Sequence, residues 1–110
     1  MNKVIFHGEV IAKQIEQLPK ECTKVNTIAN YYVVGESETH GNDHRVAVKE
    51  REVEFYERNG VLYMKNLSET EIFCPNDDKH TAIKMPAGFW EFGHAQEYDY
   101  IEQESRRVAD

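Results

Sequence analysis

Residues 35–45 read GESETHGNDHR. His40 and His44 stand four residues apart, with Glu36, Glu38 and Asp43 around them and Arg45 directly behind. Imidazole nitrogens with carboxylate oxygens are ligand types for zinc, iron, manganese or nickel. On a helix, two histidines at this spacing would share one face, as in zinc peptidases. Gly41, Asn42 and Asp43 lie between them, however, and favour a tight turn. The pair is therefore expected on a loop, where a metal would need further imidazoles from His7, His80 or His94. The metal candidates are His40, His44, His80 and His94, for a divalent transition metal such as zinc, iron or manganese. The alternative is a solvated turn between two strands with no cofactor, and it ranks first because ligand geometry, not residue type, makes a site.

The same loop offers an acid–base pairing. A histidine moving a proton beside an arginine that stabilises charge is what phosphate chemistry requires. His40, His44 and Arg45 are the catalytic candidates on that reading. Against it, acids outnumber bases, and Arg45 is expected to pair on the surface with Glu36 or Asp99. No complete catalytic signature is present, so a non-enzymatic role ranks ahead of an enzymatic one. Cys22 and Cys74 form no CxxC pair and read as two free thiols of a reducing compartment. Cys74, between Phe73 and Pro75, reads as a small buried hydrophobe. Cys22 is close to Lys20 and Lys24 but has no histidine partner in the sequence.

What must position these residues follows from composition and periodicity. The chain has 110 residues, 40% hydrophobic and 30% charged, which fits one globular domain over residues 1–110. Its formal net charge of −7 disfavours nucleic acid and anionic membrane surfaces as partners. No apolar run approaches the roughly 20 residues of a bilayer span. The opening MNKVIFHGEV lacks the h-region of a secretion signal.

Strand signals recur along the chain. A strand is expected around 9–15, interrupted before it by Gly8, and EQLPKECTK after it reads as an irregular link. IANYYVV (28–34) and RVAVKE (45–50) are strand-like. In EVEFYERNGVLYMK (52–65), Asn59-Gly60 sits between alternating runs and marks a type I′ hairpin turn. TEIFC (70–74) and HTAIKM (80–85) add two short strands. FWEFGHAQEYDYI (89–101) adds an aromatic one, with a bend expected at Gly93. Residues 102–110 form a charged tail expected to fray. The sum is an all-β domain of about seven or eight short strands, a sandwich or a barrel.

Two resemblances add to this. The order of His40, His44, Pro86, Gly88 and His94 is loosely similar to the two metal motifs of cupins, small β-barrel proteins. Here the first pair is HxxxH where cupins have HxH, and Glu50 is the acid that would complete the motif. More closely, HGEVIAKQIEQLP, GESETHGNDHRV, HTAIKMPAG and the final QEYDY…RRV resemble a family of small uncharacterised proteins of phages and bacteria, with a GEVTGHxHR-like motif. In that comparison His40, His44, Arg45, His80, Tyr98 and Arg107 match recurrent polar positions. The resemblance implies a compact β-fold and a phage origin. The expected role is then a phage-type binding or structural protein acting by protein–protein contact, as a virion component or host-factor binder. The expected partner is a virion or host protein, with an edge strand able to pair into a homo-oligomer. The expected location is the host cytoplasm or the virion. The alternative is a metal-binding cupin-like barrel using a histidine cluster.

Overall fold

Asn59 and Gly60 carry φ values of 52° and 79°. Both central residues of a type I′ turn require that positive sign, which Asn and Gly tolerate best. The turn fixes the register of the hairpin it closes, with Arg58 opposite Val61 and Val53 opposite Asn66. This hairpin belongs to the larger sheet of the structure, a computed structural model that describes residues 3–27, 29–35, 43–49, 51–75 and 81–94.

Ten strands are present among the described residues: β1 Val4–His7, β2 Val10–Ile15, β3 Thr23–Val25, β4 Tyr31–Gly35, β5 His44–Ala47, β6 Val53–Arg58, β7 Val61–Asn66, β8 Thr70–Phe73, β9 Ile83–Met85 and β10 Gly88–His94. No helix occurs among those residues, and hence none long and apolar enough to cross a membrane. The strands form a six-stranded sheet in the order β1-β2-β10-β7-β6-β3 and a four-stranded sheet in the order β4-β5-β8-β9. All pairings are antiparallel.

The inner faces of the two sheets meet in one core. Ile5, Val10, Ala12, Val53, Phe55, Met64, Trp90 and Phe92 come from the larger sheet, and Val46, Ile72 and Met85 from the smaller. Alternation along each strand supplies these residues, as period-2 geometry requires. In β6, for example, Val53 and Phe55 are buried while Glu54 and Tyr56 are less so. Phe55 stacks on Tyr32 of the opposite sheet at 4.6 Å between ring centroids.

The all-β expectation holds, as a sandwich with more strands than the sequence suggested. The two additions are β1 and β3. Gly8 does not merely interrupt an apolar run. With φ 58° it takes the first central position of a two-residue turn, and His7 pairs with Val10 across it, as in type II′ hairpins. β3 lies where an irregular link was expected. Its own residues are largely exposed, so pairing with β6 makes it a strand, not a pattern in its sequence. Gly93 does not break β10, which stays in register with β2 through His94. The 95–101 part of the expected last strand lies outside the described residues, as does the 102–110 tail.

Candidate metal centre

At one end of the sandwich, three strands bring three ligand-bearing side chains to a single point. In β1 the alternation that buries Ile5 also buries His7, beside the turn at Gly8. In β5 the same alternation buries His44 and Val46 and turns Arg45 outward. Along β8, Thr70 and Ile72 face inward, and Cys74 continues that face one step beyond the strand. The register pairs Arg45 with Phe73 and Val46 with Ile72. One further step of that register places Cys74 across from His44.

The result is a buried cluster of two imidazoles and a thiol. His7 is 2% exposed, His44 3% and Cys74 9%. The two Nδ1 atoms lie 2.8 Å apart, so one ring donates and the other accepts. The rings meet edge to face at 5.0 Å between centroids. Cys74 Sγ lies 3.4 Å from His44 Nδ1. Taking one ligand atom from each side chain, all three fall within 4.8 Å of one another.

These separations suit a tetrahedral ion. With Zn–N near 2.0–2.1 Å and Zn–S near 2.3 Å, ligand atoms sit roughly 3.3–3.6 Å apart around zinc. The His44–Cys74 separation already matches. The His7–His44 separation must open by about half an ångström, a small rotation of either ring, for zinc of that geometry. A thiolate with two imidazoles is a donor set for zinc or copper, softer than the oxygen-rich sets that hold magnesium or calcium.

Gly35 makes the convergence geometrically available. It pairs with His44, and the register shifts between Val33 and Gly35, a bulge of the kind that re-aims side chains. A Cβ on Gly35 would overlap Val10 Cγ2, and it would lie 3.7 Å from the rings of both His44 and His94. Val10 is in turn the register partner of His7. The absence of a side chain at Gly35 therefore lets the smaller sheet close on the larger one beside the histidines.

The structure redistributes the residues singled out in the sequence. His44 is buried in the cluster and does not belong to a solvated turn. His40 and His80 lie outside the described residues, as does Glu50. His94 ends β10 and is exposed, outside the three-residue group. Arg45 points away from the cluster. Its Nε lies 3.0 Å from Asp43 Oδ1, and its guanidinium stacks 4.1 Å from the Tyr31 ring centre. Its partner is thus Asp43, while Glu36 and Asp99 lie outside the described residues. Cys22 and Cys74 are not joined to each other in a disulfide, and Cys74 contacts His44 and is more than an apolar filler. Cys74 was missed because its partner is 30 residues away and is met only through strand register. His7 carried a local signal, its alternation with Ile5 ahead of a glycine turn.

No curated protein and no solved structure is detectably similar to the chain. A family model described as a domain of unknown function, DUF8820, matches residues 6–94. That span runs from β1 to the last residue of β10 and includes every member of the cluster. The chain belongs to the DUF8820 family of domains of unknown function.

Proposed function

We propose that this domain is a zinc-binding β-sandwich in which His7, His44 and Cys74 hold the ion between the two sheets. The observation that carries this reading is the convergence of three buried ligand atoms within 4.8 Å. Polar groups of this kind are costly to bury for packing alone, and apolar side chains at the same positions would extend the neighbouring core. The ion would join β1 of the larger sheet to β5 and the end of β8 in the smaller. His7 and His44 are 37 residues apart, and His44 and Cys74 are 30 apart. Closing loops of that length restricts the unfolded chain substantially. The role of the metal in this reading is to fasten the two sheets, and with them whatever surface the domain presents.

Thermal unfolding with and without a strong chelator tests it. At a free zinc concentration about a hundredfold above Kd, bound metal adds about 2.7 kcal/mol. That corresponds to a melting temperature at least about 8 °C higher than that of the chelated protein. Equal melting temperatures in both conditions would remove the proposal.

A protein-contact role, as a phage-type module or otherwise, is a second reading. It is favoured by β1, an edge strand whose outward residues Val4 and Phe6 are 45% and 59% exposed. Edge strands with apolar outward side chains are surfaces on which another chain can pair. The two readings are compatible, since the metal site and this surface lie on opposite faces of β1.

A further inference from the structure

Strand β1 is an outer strand of the six-stranded sheet, and among the described residues it pairs with β2 alone. The register decides which of its backbone groups that pairing uses. Val4 stands opposite Lys13, and one step earlier Gln14 N donates to Lys3 O at 2.8 Å. Hydrogen-bonded pairs alternate along an antiparallel ladder, so Lys3, Ile5 and His7 bond toward β2. The N–H and C=O groups of Val4 and Phe6 point the other way, off the edge of the sheet. Their side chains are two of the three large hydrophobic ones exposed among the described residues, Leu67 being the third.

The other three outer strands carry features that discourage pairing. β3 presents Lys24 and β9 presents Lys84, with side chains 59% and 77% exposed. β4 has the bulge between Val33 and Gly35. Exposed lysines and bulges are how sheet edges avoid association. β1 reads VIFH in unbroken register with β2, with no lysine, acid, proline or bulge.

Resting on the protein-contact reading of this edge, we infer that its partner is a second copy of this chain, joined antiparallel through β1 across a two-fold axis beside Ile5. In that register Val4 of each copy pairs with Phe6 of the other. Each pair exchanges the N–H···O bonds that the edge leaves open. It also sets a phenyl ring beside an isopropyl group, an aromatic–β-branched pairing that is favourable across strands. Charge agrees with this direction. Lys3 precedes the strand and Glu9 follows it, and both are exposed. The antiparallel two-fold brings Lys3 of each copy alongside the turn that carries Glu9 of the other, where a parallel pairing would align like charges. The contact is isologous, so it closes at two copies and does not grow into a fibre. The two larger sheets become one continuous sheet.

The test is sedimentation velocity on the full, untagged chain and its Phe6→Lys variant over a concentration series, with amide hydrogen exchange on the wild type. The interface is small, so association should depend on concentration. The expected result is a monomer that passes to a dimer and to nothing larger. Phe6→Lys should weaken the dimer by about a hundredfold or more, because the two-fold removes two phenyl contacts at once. Since Phe6 is exposed, the dilute variant should melt at the wild-type temperature. The Val4 and Phe6 amides of the wild type should become protected only as the dimer forms, a readout that holds even if the variant does not fold. A wild type that stays monomeric with both amides exchanging freely would overturn the second-copy assignment and leave the edge to a different chain. A dimer that survives Phe6→Lys, with both amides still unprotected, would place the contact elsewhere and overturn it as well. Protection of both amides in the dilute monomer would instead remove the protein-contact reading of this edge on which the inference rests.

Discussion

The β6–β7 hairpin and the His7–His44–Cys74 end of the sandwich obey the same alternation but bury opposite chemistry. In the hairpin the inward positions Val53, Phe55 and Met64 are apolar. The buried polar residue at its end, Asn66, donates from Nδ2 to the backbone carbonyls of Ser68, Met85 and Pro86. The hairpin's charged groups stay on the outer face. There Tyr56 Oη donates to Glu54 Oε2, and Lys24 Nζ lies 3.5 Å from Glu54 Oε1. At the other end the inward positions hold two imidazoles and a thiol, and the arginine of the same strand is turned out to Asp43 and Tyr31. The first arrangement is what folding alone selects: apolar area leaves water, and charges remain screened. The second costs desolvation that packing does not require. That excess of polar chemistry inside a small core is the reason to assign the cluster a ligand.

Paired substitutions would break this contrast if it is wrong. Phe55→Ala removes a fully buried ring from the apolar region and is expected to cost about 3–5 kcal/mol. It should leave zinc affinity per folded chain unchanged. Gly35→Ala forces a Cβ against Val10 Cγ2 and is expected to cost a smaller amount, about 1–3 kcal/mol. It should nevertheless weaken zinc binding, because it wedges the sheets apart beside His7 and His44. Denaturant unfolding and zinc competition on both variants check the pair. A zinc affinity lowered by Phe55→Ala and untouched by Gly35→Ala would reverse the assignment of roles.

The smallest expected effect sharpens the hairpin side. The hydrogen bond from Tyr56, opposed by burial and helped by Lys24, holds the Glu54 carboxyl below its ordinary range. Its stabilising contribution is therefore present above the ordinary carboxylate pKa and lost as pH falls through the lowered value. Tyr56 is pushed up to about 12, first by that same hydrogen bond and then by burial. Its contribution is present below the ordinary phenol value and lost as pH rises toward 12. The pair is solvent-accessible, so the whole effect should stay under about 1 kcal/mol. Tyr56→Phe should flatten both limbs of a stability–pH profile, and an unchanged profile would count against the pair.

How much of this was legible in the sequence depended on how local the cause was. The β6–β7 hairpin could be read because Asn59-Gly60 and the flanking alternation lie within one short window. The β1–β2 hairpin was half legible: Gly8 was seen, but as an interruption and not as the turn itself. β3 was not legible, since it is made by pairing with β6 and not by its own residues. His44 was named as a metal candidate and His7 among the imidazoles that could join it, but Cys74 was read only as a buried hydrophobe, and the contacts that gather the three were not foreseen. Cys74 meets His44 through the β5–β8 register, and His7 meets it through the packing of one sheet on the other at Gly35. Neither contact has a spacing that a sequence can display.

The most direct test of the central claim is the zinc content of the untagged chain, purified in parallel with its Cys74→Ser variant. The zinc reading predicts close to one zinc per chain in the wild type and a large loss in the variant, since a hydroxyl is a poor substitute for the thiolate. Zinc absent from the wild type even after incubation with the metal, or retained in full by Cys74→Ser, would contradict it.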